Sequence, residues 1–286
     1  MKKHLFWNRT EKSMPASVPL LSEGNFKTTF LTYTGAFLFS IVLIVLLHET
    51  GHFLAFHWRG YEAVSIRINP FMGTTSCQQD IQERDFIFIV LGGPIFDLSI
   101  ATLLAIALRF TKSPNWIPVK MYSAMAFLIE GMVLIAGLFF QETITDFAWL
   151  ISLGLPPIFV GFLGIFLIGF GGLLSYEIWI LVGITPESSR KQLILLNGPF
   201  FLYWLLGASI GMAILPIEAN FVRKFLAVGM VLHWLYLGIR IILASSIVAR
   251  IRERMPGDIP KVTINTSKFS LILGCASWVL SFLVLN

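Results

Sequence analysis

Residues 36–56 read AFLFSIVLIVLLHETGHFLAF, an apolar run that contains the pentad His48-Glu49-Thr50-Gly51-His52. On an α-helix, residues four apart lie on one face, so the two imidazoles can reach one metal ion. Glu49, beside them, can take a proton from a water that the metal activates. Ionisable side chains are expensive to keep within a membrane-length segment, and metal binding gives a reason for three together. The stretch therefore predicts a transmembrane helix that carries a zinc site.

The composition is typical of a membrane protein. Of the 286 residues, 56% are hydrophobic and 13% are charged, whereas an ordinary soluble domain is about 25% charged. A bilayer core takes about 20 apolar residues per helix. Stretches that meet this length predict about seven spans, namely 33–57, 86–109, 121–141, 157–183, 197–216, 222–248 and 268–285. We therefore expect an all-α polytopic membrane protein without a large soluble domain.

Two connections between these spans contain short elements of their own. Between Arg59 and Asp85, the alternation Ile66-Arg67-Ile68 is followed by turn-forming residues, which predicts a short strand or hairpin. Residues 146–155 are apolar but too short to cross, so they predict a short helix that ends before the prolines at 156–157. The two cysteines are too few for a disulfide framework or a thiolate zinc cluster.

Lysine and arginine are distributed unevenly between the two ends of the predicted spans. One end has fifteen of them and the other has five, and the positive-inside rule places the richer end in the cytoplasm. The richer end contains Lys2, Lys3, Arg9, Lys12, Lys27, Arg109, Lys112, Lys120, Arg190, Lys191, Arg250, Arg252, Arg254, Lys261 and Lys268. The poorer end contains Arg59, Arg67, Arg84, Arg223 and Lys224. The N-terminus is therefore predicted to be cytoplasmic, and the basic residues need no nucleic-acid partner.

A catalytic zinc takes three protein ligands and leaves a position for water, so the pentad needs one more ligand. His233, in a later span, is possible, but a lone histidine in a membrane more often bonds a neighbouring helix. Carboxylates are the better class, and Asp97, Glu130 and Asp146 are the candidates. At about 1.5 Å of rise per residue, Asp97 and Glu130 lie at depths like that of His48, and Asp146 lies nearer the rim. Depth leaves the choice open.

The pentad, followed by Gly92-Gly93-Pro94-Ile95-Phe96-Asp97, resembles the two opening motifs of the site-2 protease family of intramembrane zinc metalloproteases. In that family H-E-x-x-H lies in one span, G-P-x-x-N begins the next, and an aspartate roughly ninety residues beyond the pentad is the third ligand. The aspartate commonly stands in an N-P-x-P-x-x-D-G context. The resemblance covers about residues 35–165. It implies that His48, His52 and an aspartate hold one zinc ion per chain, with Glu49 as general base.

The chain departs from the family pattern at two places. Asp97 stands where the family has asparagine, and no N-P-x-P-x-x-D-G string is present. Asp146 keeps both the residue type and the spacing, so it is the preferred third ligand. Glu130, followed by Gly131 as in the family's D-G, is the alternative ligand. As an unused candidate, Glu130 or Asp97 is expected to hydrogen-bond a ligating imidazole instead.

These observations predict a zinc metalloendopeptidase that cleaves a membrane-anchored protein or peptide within or at the bilayer. The predicted division is a cytoplasmic tail (residues 1–32), a protease core in the first three or four spans (33–183) and accessory transmembrane helices (184–286). The alternative is a non-proteolytic transporter or export component, or a degenerate homologue that keeps the metal site. We expect a prokaryotic plasma membrane as the location. The sequence assigns neither a substrate nor an oligomeric state.

The side of the membrane to which the site opens is predicted differently by the resemblance and by the charge distribution. The resemblance implies a catalytic centre that opens toward the cytosol. The charge distribution places the His52 end of the first span outside.

Overall fold

The computed structural model describes residues 23–62, 64–69, 72–139, 146–152, 154–214, 219–255, 259 and 261–284. This part of the chain is mostly helical. Its elements, in chain order, are α1 (Glu23–Trp58), β1 (Val64–Asn69), β2 (Met72–Cys77), α2 (Glu83–Ala107), a 3₁₀ turn (Pro114–Trp116), α3 (Ile117–Phe139), α4 (Asp146–Ser152), α5 (Pro157–Leu181), α6 (Arg190–Leu196), α7 (Gly198–Ile214), α8 (Ala219–Arg254) and α9 (Ile264–Val284).

Five of the described helical segments are long and apolar enough to cross a membrane. They are Phe26–Trp58, Glu83–Ala107, Pro114–Phe139, Pro157–Leu181 and Val231–Arg254. These segments correspond to the first four predicted spans and the sixth, which gives a mostly helical polytopic membrane protein. Helices α7 and α9 lie where the other two spans are predicted. The total of seven stays a prediction.

The predicted hairpin between the first two spans is confirmed. Strands β1 and β2 pair antiparallel, with Ile66 opposite Thr75 and Arg67 opposite Thr74. At its base, the Asp85 carboxylate accepts hydrogen bonds from the Arg59 guanidinium and, at 3.2 Å, from the Tyr61 hydroxyl. These contacts tie the end of α1 to the start of α2. The short helix predicted from residue 146 is also present as α4, and α5 begins at Pro157.

The helices define two ends of the molecule. Because α1 leads into the hairpin and α2 leaves it, the hairpin lies at one end, which we call the hairpin end. Helix α3 runs back to this end, since α2 and α3 are consecutive, and α4 follows it. Helices α3 and α5 are antiparallel and cross closely, because a Cβ at Gly131 would lie 2.8 Å from the Gly164 carbonyl oxygen. The N-terminus of α1 and the C-terminus of α5 lie at the opposite end, where the Thr29 hydroxyl donates to the Val182 carbonyl at 2.7 Å.

Residues from the predicted tail and from the predicted accessory region are part of the same helical packing. Helix α1 begins at Glu23, so residues 23–32 of the predicted tail are helical, while residues 1–22 lie outside the described part. Helix α9 runs along α1, where the Trp278 indole N–H donates to the Leu38 carbonyl at 3.0 Å. The division into a protease core and accessory helices stays a prediction.

Candidate metal centre

The two pentad histidines and Asp146 meet at the hairpin end. His48 Nε2 lies 3.1 Å from His52 Nε2, and Asp146 Oδ2 lies 3.1 Å from the first and 3.3 Å from the second. Zinc ligands at about 2.0 Å in a tetrahedron lie roughly 3.3 Å from one another. The three atoms therefore have the spacing of one face of such a tetrahedron, and this group can hold a metal ion.

The other ring nitrogen of each histidine has a partner of its own. His52 Nδ1 lies 2.8 Å from the Ile89 carbonyl oxygen on α2, and a carbonyl only accepts, so Nδ1 carries the proton. His48 Nδ1 lies 2.8 Å from Glu130 Oε1 on α3 and donates to that carboxylate. In the neutral rings both Nε2 atoms are then acceptors, and they face a carboxylate oxygen. Three acceptors this close repel one another unless a cation lies between them.

Asp146 brings negative charge to this group from the first residue of α4. Burial raises the pKa of the Asp146 carboxyl, but the two imidazoles beside it have a larger, opposite effect, so its pKa lies below the ordinary value. The carboxylate form is also the one that binds a metal. Its side chain is 31% exposed, so water can reach this side of the group.

The other two carboxylate candidates, Glu130 and Asp97, are buried in the protein interior. Glu130 is the partner of His48 Nδ1 and is buried. Asp97 is fully buried one turn beyond Gly93 on α2, and its Oδ1 accepts a hydrogen bond of 2.7 Å from the Tyr122 hydroxyl. The fourth candidate, His233, packs against Phe200 on α7, with ring centroids 4.5 Å apart. The three-atom group thus contains neither Asp97, Glu130 nor His233.

Glu49 is held over the same cleft by the hairpin. Its Oε2 accepts a hydrogen bond of 2.7 Å from the Thr75 hydroxyl, which also lies 3.1 Å from the Glu49 backbone carbonyl oxygen. A Cβ at Gly73 would lie 2.6 Å from Glu49 Oε1. Gly73 and Thr75 lie on the same face of β2, as side chains two apart in a strand do. The hairpin therefore holds the Glu49 carboxylate by the hydrogen bond from Thr75, and Gly73 leaves the space that the carboxylate occupies.

Glycines also let α2 approach the histidines. A Cβ at Gly93 would lie 2.8 Å from His48 Nε2 and closer still to His52 Nε2. One position earlier, a Cβ at Gly92 would lie 2.8 Å from the Gly51 carbonyl oxygen, where α1 and α2 cross. No side chain fits at either position without displacing α1 or its imidazoles.

A cleft of about 470 Å³ contains the candidate centre. Around the polar group it is lined mainly by apolar side chains from α1, α2 and α3, and by β2 along one side. The apolar lining includes Ile44, Phe56, Phe86, Ile89, Ile129 and Val133. The cleft can accept an apolar chain segment beside the metal ligands.

For three of the groups that shape this site, the sequence did not predict the contact with His48, His52 or Glu49. The Ile89 carbonyl carries no sequence signal, because every residue has one. Gly93 is part of the Gly92-Gly93-Pro94 run, where paired glycines in a span indicate a close approach. Thr75 lies in the polar stretch of the predicted hairpin, but its contact with Glu49 depends on the register of the two strands.

The fold and the site thus define a membrane protein with a His-His-Asp group that can bind a metal ion. No protein-family model, curated protein or solved structure matches the chain. The resemblance to the site-2 protease family therefore stays a prediction that is based on the quoted residues.

Proposed function

We propose that the chain is a zinc-dependent endopeptidase of the membrane, which hydrolyses a peptide bond of a membrane-anchored protein or peptide. The observation that carries the proposal is the convergence of His48 Nε2, His52 Nε2 and Asp146 Oδ2 within 3.1–3.3 Å in a cleft that also contains Glu49. Two histidines and a carboxylate are a common ligand set of catalytic zinc in hydrolases.

The residues present fit zinc better than a harder ion. Two imidazole nitrogens and one carboxylate oxygen suit zinc, whereas magnesium and calcium prefer oxygen ligands. Iron(II) also binds two histidines and a carboxylate, so metal analysis has to distinguish these two ions. When bound, zinc would lower the pKa of a water molecule and polarise the scissile carbonyl. The adjacent Glu49, which the three-atom group leaves free, favours hydrolysis over redox chemistry.

Glu49 is proposed to move the protons of the reaction. Its carboxylate accepts a proton from the attacking water and then donates it to the leaving amine nitrogen. The Thr75 hydroxyl, 2.7 Å from Glu49 Oε2, keeps the carboxylate in one position during both steps. Glu130, by accepting from His48 Nδ1, keeps Nε2 of that ring directed at the metal position.

The cleft is proposed to bind an extended, apolar segment of the substrate. In the described part of the chain the sheet has two strands, so β2 pairs with β1 along one edge only. Its other edge offers backbone N–H and C=O groups to a substrate strand, which pairs independently of sequence. Thr74 and Thr75 of this strand line the cleft together with Glu49.

The proposal is tested by comparing membranes that contain the wild-type chain with membranes that contain Glu49→Gln. We expect a set of new protein N-termini in the wild-type sample that is missing from the variant, measured by N-terminal labelling and mass spectrometry. Glutamine keeps the size and the hydrogen bond from Thr75 but cannot take up a proton. Identical N-termini in both samples, with metal bound in both, would support a transport or export role instead.

A further inference from the structure

Arg240 lies in an aromatic cage far from the metal centre. It belongs to α8, is 3% exposed and packs against the last two turns of α5. Its Cζ atom is 3.7 Å from the centroid of the Trp179 ring and 5.2 Å from those of Tyr176 and Tyr236. Cation–π contacts cover the planar faces of a guanidinium, but its N–H groups point outward in the plane and need acceptors.

One edge of this guanidinium donates a hydrogen bond to a side-chain amide among the described residues. Arg240 Nη1 donates to Asn197 Oδ1 at 3.3 Å, whereas Nε and Nη2 are buried and have no partner. In the described residues no carboxylate pairs with Arg240. Nε and Nη2 form the fork that binds a carboxylate or phosphate through two parallel hydrogen bonds. A buried, unpaired charge is costly, so the open fork calls for an anion.

The surroundings of the fork indicate where the anion comes from. Tyr176 and Trp179 are buried, but Tyr236 is partly exposed, and its helix neighbours Leu235 and Ile239 are more than half exposed. This side of α8 faces the lipid in a membrane-spanning helix. The cage is therefore reached from the bilayer, past Tyr236.

The end of the molecule nearest the cage attracts anionic lipid. Trp179 is two residues from the end of α5, at the end opposite the hairpin. Described basic residues at that end are Lys27, Arg109, Lys112, Lys120, Arg190, Lys191, Arg250, Arg252, Arg254, Lys261 and Lys268. Clusters of basic residues next to a span concentrate anionic lipids, and tryptophan and tyrosine prefer the same level of the bilayer.

We propose that Arg240 binds the phosphate of an anionic phospholipid, with Nε and Nη2 donating to two phosphate oxygens and Tyr236 as the movable side of the cage. The site is separate from the proposed peptidase centre and does not depend on it. An acyl chain attached to the phosphate would lie along the exposed apolar face of α8.

The test measures lipid that stays bound to the full-length protein. Purified protein is washed in detergent, exchanged against phosphatidylglycerol or phosphatidylcholine, and examined by native mass spectrometry and thermal unfolding. We expect one retained phosphatidylglycerol per chain and a higher melting temperature, with no such effect of phosphatidylcholine. Inorganic phosphate at the same concentration forms the third arm, because it offers the same oxygens without a lipid.

Two substitutions of Arg240 and one control distinguish binding by the Nε and Nη2 fork from the general attraction of anionic lipid to basic residues. Arg240→Gln removes the charge, and Arg240→Lys keeps the charge but cannot form the fork. Each is expected to weaken phosphatidylglycerol binding by about tenfold to a hundredfold. Arg250→Gln removes an exposed charge on the same helix and should leave binding nearly unchanged.

Several results would overturn the proposal. If the wild-type protein does not prefer phosphatidylglycerol, the site is not a lipid site, and this result needs no variant. Equal binding by wild type and Arg240→Lys would show that the fork is not used. If Arg250→Gln weakens phosphatidylglycerol binding as much as the Arg240 variants do, the lipid is held only by the general attraction to basic residues. Stabilisation by inorganic phosphate as large as that by the lipid would make free phosphate the ligand.

Discussion

Glu130 Oε1 and His48 Nδ1 lie 2.8 Å apart, on the side of the imidazole that faces away from Asp146. The ring thus has a carboxylate on each nitrogen. The buried one accepts the Nδ1 proton, and the partly exposed one shares the Nε2 side with His52. A carboxylate behind a ligating histidine fixes its tautomer and raises its basicity. The arrangement assigns different tasks to the two acidic residues that the sequence offered as alternative ligands.

We expect the purified wild-type chain to contain one zinc ion, and His52→Ala and Asp146→Ala to contain less than a tenth of that amount. Each of these variants removes one of the three converging atoms, and two remaining ligands hold zinc weakly. Elemental analysis by mass spectrometry after gel filtration measures the content. Iron in place of zinc would argue against hydrolysis. A wild-type protein without metal would argue against the centre itself.

Glu130→Gln is expected to keep the metal but to weaken its binding by about ten- to a hundredfold. The amide still accepts from His48 Nδ1, but without a negative charge, so the imidazole becomes a poorer ligand. Asp97→Asn is the matched control, since Asp97 bonds the Tyr122 hydroxyl and not a histidine. Competition with a zinc chelator measures both affinities. A complete loss of zinc in Glu130→Gln, together with its retention in Asp146→Ala, would show that Glu130 and not Asp146 is the third metal ligand.

Gly93→Ala is expected to abolish metal binding while the protein remains folded. Its new methyl group would occupy the space of the two Nε2 atoms and force the imidazoles out of their positions. Gly169→Ala, in α5, is the matched control, because a Cβ there meets no atom within 4 Å. Metal content and the circular dichroism melting curve are measured for both. Normal metal content in Gly93→Ala would mean that α2 lies farther from the histidines than the structure places it.

The local elements of this chain follow from local sequence, and the site contacts do not. The hairpin and the short helix α4 could be predicted because turn residues, alternation and proline act on neighbouring residues. The depth estimate correctly placed Glu130 level with His48. The same estimate did not separate Asp97 from Glu130, although Asp97 bonds the Tyr122 hydroxyl and Glu130 bonds His48. Which carboxylate meets which nitrogen depends on how α2 and α3 rotate against α1, and a single sequence carries no signal for that rotation.

The contacts of Arg240 could not be predicted from the sequence either. A lone arginine within the apolar run at residues 237–243 is visible in the sequence and is a candidate functional position. Two of the three rings of its aromatic cage, however, come from α5, some sixty residues earlier in the chain. Only the packing of α5 against α8 shows that the fork has no carboxylate partner among the described residues.

Thr75→Val is expected to lower peptidase turnover by about tenfold and to leave the metal content unchanged. Valine has the same shape but lacks the hydroxyl that bonds Glu49 Oε2, so the carboxylate is no longer fixed for proton transfer. Thr102→Val is the control, because the exposed Thr102 hydroxyl on α2 donates to the Leu98 carbonyl of its own helix, away from the cleft. Turnover is followed with a substrate found through the Glu49→Gln comparison. If Thr75→Val and the control variant have equal turnover, the Thr75 hydroxyl takes no part in the mechanism.

Cysteine labelling can determine on which side of the membrane the hairpin lies. The surplus of basic residues at the opposite end predicts that the hairpin is outside, whereas the family resemblance implies a cytosolic opening. With Cys77 and Cys275 replaced by serine, we expect Thr74→Cys to react with a membrane-impermeant maleimide on intact cells. Glu187→Cys, exposed at the opposite end, should react only after the membrane is permeabilised. The reverse pattern would place the N-terminus outside and the metal centre in contact with the cytosol, and the substrate would then be cleaved from that side.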